Sequence, residues 1–122
     1  MSRISALAIA LALSTPAGAK TLSQRIKDLP DEEWVFQGLN IADKAITNDC
    51  LRRGICQEKN PFLGRNPSTG KMIAAGVAEG VAHAAGTMWF QDHAPGAVKL
   101  WEISTITVGA GVVGWNLRVR FR

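Results

Sequence analysis

The chain has 122 residues, of which 47% are hydrophobic and 20% are charged. This length is typical of a single domain and excludes a multidomain enzyme, and the composition excludes a collagen and a disordered tail. Fourteen Lys and Arg against ten Asp and Glu give a net charge of +4. That excess is mild, whereas nucleic-acid binders concentrate basic residues on one face, so no nucleic-acid partner is expected.

Residues 1–19 have the three parts of a secretory signal peptide. Basic Arg3 precedes an apolar stretch, Ile4–Leu13, and the small residues Ala17 and Ala19 follow it, so we expect cleavage after Ala19. An uncleaved anchor is the alternative, although the stretch is shorter than the roughly 20 residues of a membrane span. Export predicts an oxidising compartment for the rest of the chain.

The two cysteines, Cys50 and Cys56, are expected to form a disulfide, because an exported protein with an even cysteine count leaves no odd thiol. A zinc site that added His83 and His93 to them matches no common ligand spacing. No motif resembles a nucleophile elbow, a haem attachment site or a phosphate-binding loop. The sequence therefore predicts no catalytic residue, no cofactor and no metal.

Residues 31–53 are predicted to form an amphipathic helix. Acidic residues at 31–33 suit a helix N-terminus, and Gly54 suits its end. Apolar residues recur at spacings of three and four, at Val35, Leu39, Ala42, Ile46 and Cys50, and polar residues occupy the other side, at Gln37, Asn40, Lys44, Thr47 and Asn48. Residues 54–70, with two Asn-Pro turns, are predicted to be a connector in which Phe62 and Leu63 pack against the helices or enter the lipid interface.

Residues 72–90 and 97–117 are two long apolar stretches that predict a helical hairpin. Their lengths suit a membrane, and Trp residues lie near their ends, where a membrane interface would be. Small residues spaced four apart are expected to form the packing seam between the two helices: Gly76, Gly80, Ala110 and Gly114. The sequence thus favours an all-α protein embedded in a bilayer.

The second stretch leaves an alternative open. Many of its residues between 103 and 113 are β-branched, and residues 115–121 alternate between apolar and polar, so a C-terminal β-hairpin in an α+β fold remains possible. In the helical reading, Glu79 and His83 would pair within the first stretch, and Lys99 with Glu102 in the second. An ionisable pair inside a membrane indicates function by default, which makes Glu79 and His83 the sharper candidates.

The segment from Asp43 to Lys71 contains the pattern E-x-N-P-x-L-G-x-x-P at residues 58–67, and residues 112–118 add a Val-Val and an Asn-Leu-Arg. In these features the chain resembles small uncharacterised helical proteins of proteobacteria and their phages. The resemblance covers most of residues 34–121. It implies a helical, membrane-associated protein and supplies no catalytic residue.

The leading expectation is a small exported structural or accessory protein, not an enzyme, embedded in the bacterial inner membrane with a periplasmic N-terminal region. Its partners would be the lipid bilayer and either a second copy or another membrane protein. A holin-like protein that permeabilises membranes is one alternative, since the chain is short and ends in a basic tail. The other is a soluble periplasmic binding or inhibitor module in which residues 72–117 form a packed core.

Overall fold

The computed structural model describes residues 20–58 and 60–120, so the predicted signal peptide lies outside the described residues. Within those ranges the protein is all-α, as predicted, and contains no strand. Four α-helices follow one another: α1 (Leu22–Lys27), α2 (Asp31–Arg52), α3 (Thr69–His93) and α4 (Val98–Arg120). A short 3-10 turn, Pro95–Ala97, joins α3 to α4.

Helix α4 contradicts the alternative of a C-terminal β-hairpin. Two threonine hydroxyls form hydrogen bonds with the backbone of the preceding turn: Thr105 Oγ1 donates to the Trp101 carbonyl at 2.9 Å, and Thr107 Oγ1 donates to the Ile103 carbonyl at 2.7 Å. Because β-propensity mostly measures how side chains fit a sheet, packing against another helix overrides it here.

The three long helices form an up-down-up bundle with α2 in contact with both others. Side-chain pairs fix the directions. Lys99 near the start of α4 bonds Glu32 near the start of α2, and Asn116 near the end of α4 bonds Asp43, so α4 runs parallel to α2. Helix α3 runs antiparallel to both.

Helix α1 closes one end of the bundle. Thr21 and Gln24 form a reciprocal capping box at its start, and Arg25 is buried against the far end of α3, where its Nη2 donates to Asp92 Oδ2 at 2.7 Å. Leu29 follows α1 and packs against Met88. The end of α3 is therefore held by both polar and apolar contacts.

The prediction of a membrane-embedded hairpin is wrong. Across the described ranges, no helix combines the length and the apolar character needed to cross a membrane. The reason lies in composition: α3 is rich in alanine and glycine, which contribute little hydrophobicity, and the two helices carry Glu79, His83, Lys99 and Glu102. The expected inner-membrane location is corrected with it.

The interior of the bundle is unusually polar. In the part of the chain that the structure describes, more polar and charged residues than hydrophobic ones are buried. The buried hydrophobic residues are Leu29, Cys50, Leu51, Met72 and Met88, and the buried polar ones are Arg25, Glu33, Asn40, His83, Thr87 and Glu102. Conversely, Val35, which the sequence assigns to the apolar face of the amphipathic helix, is half exposed.

The disulfide between Cys50 and Cys56 is confirmed, with the two Cα atoms 5.7 Å apart. It ties the end of α2 to the connector, where Arg52 Nη2 also donates to Asn66 Oδ1 at 2.9 Å. Phe62, predicted to pack against the helices or enter the lipid interface, is 90% exposed. The connector is held by the disulfide and by hydrogen bonds, so it needs no aromatic anchor.

Candidate functional site

A buried cluster of ionisable side chains lies where the three long helices meet. Glu33 comes from the first turn of α2, His83 from the middle of α3 and Glu102 from the second turn of α4. All three are buried, Glu33 and Glu102 almost completely. We call these residues the Glu–His–Glu cluster. Buried ionisable groups are rare unless they are paired, so their convergence marks the site.

His83 is bound at both ring nitrogens. Nδ1 lies 2.9 Å and 2.8 Å from the two carboxylate oxygens of Glu33. Nε2 lies 2.7 Å from the Thr105 hydroxyl, which itself donates to the Trp101 carbonyl. Nδ1 therefore faces a carboxylate and Nε2 faces a hydroxyl, and these contacts fix the ring between α2 and α4.

Thr87 links the two carboxyl groups. Its Oγ1 lies 2.7 Å from Glu33 Oε2 and 2.6 Å from Glu102 Oε1, and it accepts a hydrogen bond from Trp101 Nε1 at 2.9 Å. A hydroxyl has one proton to donate, so it cannot serve two ionised carboxylates at once. The geometry therefore requires a proton on one of the two acids.

Aromatic rings enclose the imidazole on both faces. Phe36 stacks on His83 with ring centroids 3.5 Å apart, and Trp101 stacks on the other face at 4.7 Å. Gly86 leaves the room for Trp101, because a Cβ atom there would lie 3.0 Å from the indole Cζ2. The rings hold the imidazole in one orientation and keep its surroundings apolar.

The environment drives the two acids in opposite directions. Burial, reinforced by the neighbouring Glu33, raises the pKa of Glu102 to about 7. Burial opposes ionisation of Glu33 as well, but hydrogen bonds with His83, Glu102 and Thr87 outweigh it and lower the pKa of Glu33 to about 2. Two close carboxyl groups with separated pKa values share one proton, which resides on Glu102.

The predicted helix-packing seam is not formed by the residues expected. Gly76 and Gly80 face α2, where Gln37 donates to the Gly80 carbonyl at 2.9 Å and Asn40 to the Gly76 carbonyl at 2.8 Å. A Cβ atom at Gly114 would meet nothing within 4 Å. Because glycine has no side chain, the amides of α2 can reach the backbone carbonyls of α3 at these positions. The small-residue pattern therefore marks the contact of α3 with α2. Ala110, the fourth predicted seam residue, is exposed.

Neither predicted ionisable pair forms, and the four residues bind partners on another helix or enter the cluster. Glu79 bonds Lys44 of α2 at 2.8 Å and does not pair with His83. Lys99 bonds Glu32 at 2.8 Å, which leaves Glu102 free to enter the cluster. In each predicted pair the two residues lie about one turn apart on the same helix. Glu79 and Lys99 bind residues of α2 instead, because packing between helices, which buries more surface, decides which residues meet.

Sequence reasoning missed Glu33, Thr87 and Glu102 as site residues. The sequence does contain a signal for them. Polar residues of α2 recur at spacings of four and three, at Glu33, Gln37, Asn40, Lys44 and Thr47. Small and polar residues of α3 recur at the same spacings, at Gly76, Gly80, His83 and Thr87. That is the spacing of a buried face. The stripe on α2 belongs to the polar side of the predicted amphipathic helix, and in the structure that side contacts the neighbouring helices.

A second feature is an apolar groove of about 970 Å³ between α2 and α3, closed at one end by Ile26 and Leu29. Its most prominent side chains are exposed: Trp34 and Ile41 on α2, and Ile73 and Val77 on α3. We call it the α2–α3 groove.

Comparison with protein-family models, curated proteins and solved structures finds no match for this chain.

Proposed function

We propose that the protein is a small structural or accessory protein that self-associates through the α2–α3 groove. The observation that carries this proposal is the exposure of large apolar side chains along the groove while polar residues occupy the interior. Contiguous exposed apolar surface on a small domain marks an interaction site. The proposal keeps the structural role expected from the sequence and replaces lipid with protein as the partner.

The spacing of the residues that line the groove indicates that its occupant is helical. Nine residues of α2 line the groove, and four of them face α3: Glu33, Gln37, Asn40 and Lys44. The outer row is separated by four, three, four and three residues and consists of Trp34, Gly38, Ile41, Ala45 and Asn48. This is the repeat of a seam that packs against another helix. This row of residues lies on the side of α2 opposite to its contact with α4, so α4 does not pack against it.

The groove is also complementary to a second copy of itself. It carries protruding side chains, Ile41 and Ile73 among them, next to the small exposed residues Gly38 and Ala45. Because α2 and α3 form an antiparallel hairpin, two hairpins related by a two-fold axis would make a four-helix bundle. In that arrangement each copy supplies the protruding residues that fill the other's recesses.

The size of the groove sets the expected affinity. Trp34 to Asn48 spans about 21 Å of helix, and two helices side by side are about 20 Å wide, so the footprint is of the order of 400 Å² per copy. A standard interface buries about 800 Å² of accessible surface per partner. We therefore expect a reversible dimer with a dissociation constant in the micromolar range.

The test is sedimentation equilibrium of the full chain across the micromolar range, with Ile41→Asp as the perturbing variant. Leu100→Asp is the matched control, because Ile41 is 69% exposed in the groove and Leu100 is 70% exposed on α4. We expect Ile41→Asp to be monomeric and Leu100→Asp to dimerise like the wild type. Residues 1–19 are common to all three chains and do not affect the comparison.

Other results would reject the proposal. A wild-type chain that remains monomeric at the highest concentration would show that the groove takes a different partner. Loss of dimer in Leu100→Asp but not in Ile41→Asp would move the interface to α4. Circular dichroism of each variant confirms that the helices are retained.

A further inference from the structure

We propose that Glu33, His83 and Glu102 form a binding site for one divalent first-row transition-metal ion, with zinc as the expected ion. The three side chains come from three helices, and each offers one ligand atom within 4.8 Å of the others. This is the one such set of His, Cys, Asp and Glu among the described residues. The inference is independent of the groove.

An unpartnered oxygen points to a missing ligand. Glu102 is only 1% exposed, and no N–H or hydroxyl group of the described residues donates to its buried Oε2. Leaving a buried carboxyl oxygen unsatisfied is costly, and native structures rarely tolerate it without a functional reason. A cation bound between Glu102 and the other two ligands would satisfy this oxygen.

The donor set selects the class of metal. One imidazole nitrogen with two carboxylate oxygens is a borderline set that suits zinc, iron or manganese, whereas calcium and magnesium prefer oxygen alone. Between zinc and manganese, the usual affinity order favours zinc at nitrogen and oxygen sites. The Thr87 hydroxyl lies against both carboxyl groups and completes the polar surroundings.

Supporting contacts already orient the ligands. Thr105 holds His83 through Nε2, which leaves Nδ1 directed at Glu33, and Gln37 Nε2 donates to Glu33 Oε1 at 2.7 Å. Metal-binding histidines commonly use the second ring nitrogen in this way, and bound carboxylates commonly keep an outer hydrogen bond. Phe36 and Trp101 fix the ring plane.

The exchange of protons for metal balances in charge. It needs little change at the His83–Glu33 pair, whereas the whole ligand set, now within 4.8 Å, must draw together around the ion. The ion would replace the proton at His83 Nδ1 and the proton held by Glu102, so two charges leave and two enter. Nδ1 now lies 2.8 Å from Glu33 Oε2. Metal–ligand bonds of about 2.1 Å require ligand atoms about 3.0–3.4 Å apart, so the pair must separate by only a few tenths of an ångström.

The experiment is equilibrium dialysis of zinc against the full chain, with the Cys50–Cys56 disulfide intact so that no thiol competes. The test variant is Glu102→Gln, which keeps the shape and the contact with Thr87 but removes the charged ligand. The matched control is His93→Gln, because His93 is the chain's other histidine and is exposed. We expect one zinc per chain in the wild type and in His93→Gln, and about tenfold or greater weakening in Glu102→Gln.

Two results would overturn the proposal. Absence of zinc binding by the wild type would do so directly. Loss of binding in His93→Gln with retention in Glu102→Gln would place the ion at exposed His93.

A second measurement applies even if Glu102→Gln fails to fold. Paramagnetic Mn²⁺ or Co²⁺ added to the wild type should broaden the indole N–H resonance of Trp101, which stacks on His83. The resonance of Trp89, which stacks on His93 and lies about 9 Å farther along α3 than His83, should broaden much less. The reverse pattern, or no broadening of either, would refute the buried site.

Discussion

Raising the pH of the metal-free protein from about 5 to about 8 should lower its free energy of unfolding, because of Glu102. The pKa of this carboxyl is raised to about 7 in the folded state from 4.5. Unfolded chains therefore lose the proton first as the pH rises, and stability falls between about pH 4.5 and 7 and then levels off. Burial, which disfavours the charged form, is the main cause.

The size of this loss follows from the shift. One pKa unit corresponds to about 1.4 kcal/mol, so the shift of Glu102 sets an upper bound of about 3 kcal/mol, and sharing of the proton with Glu33 reduces our expectation to about 2 kcal/mol. The lowered pKa of Glu33, about 2, acts in another window. Its contribution is present above pH 4.5 and is lost only as the pH falls from about 4.5 to 2.

Urea denaturation followed by circular dichroism, at a series of pH values with a chelator present, measures this dependence. Glu102→Gln serves as the reference, because its amide does not titrate while His83 and Glu33 remain beside it. Stability of the wild type should fall relative to Glu102→Gln by about 2 kcal/mol across the window. Parallel curves for the two proteins, or a wild type that gains stability, would refute the assignment of the shared proton.

Four further substitutions test the packing by the same denaturation assay. Gly114→Ala should raise the free energy of unfolding by about 0.5–1 kcal/mol, because its Cβ meets nothing and alanine favours a helix; a loss would restore the predicted seam. Gly80→Ala should lower it by about 1–2 kcal/mol, because the new Cβ would lie 2.5 Å from Gln37 Oε1 and displace that amide from its hydrogen bonds; an unchanged value would show that the amide contact contributes nothing. Ser68→Ala removes the side-chain cap of α3 and should cost about 1 kcal/mol, whereas no change would show that the cap is dispensable. Cys50→Ser should cost about 2 kcal/mol, the value expected for a disulfide that closes a short loop, and an equal loss on reduction of the wild type would confirm it.

Periodicity and turn chemistry were enough to predict the three long helices, but not the six-residue α1. Residues 31–53, 72–90 and 97–117 were predicted to be helical, and α2, α3 and α4 lie at Asp31–Arg52, Thr69–His93 and Val98–Arg120. The caps and turns that set these ends are local, so the sequence carries them directly. The disulfide was also predictable, because export and an even cysteine count are properties of the sequence.

Partner choice between helices was not predictable in the same way. His83 has carboxylates available on its own helix and on two others, and the sequence pattern favoured the neighbour one turn away, Glu79. Which face of α3 meets α2 is decided by the fit of whole surfaces. The membrane prediction failed for another reason. In the first apolar stretch, residues 72–90, glycine and alanine count as apolar although they bury little surface.

The amides of Gln37 and Asn40 fix how far α3 can slide along α2. Facing surfaces rich in glycine and alanine are nearly smooth, so van der Waals packing alone would change little if one helix advanced by a turn of about 5.4 Å. The two side chains donate to carbonyl oxygens one turn apart, at Gly80 and Gly76. A hairpin shifted by one turn would set one of the two amides against Met72 or Ala84, whose side chains fill the space that a glycine leaves open, so the bonds to the two glycine carbonyls favour a single axial position.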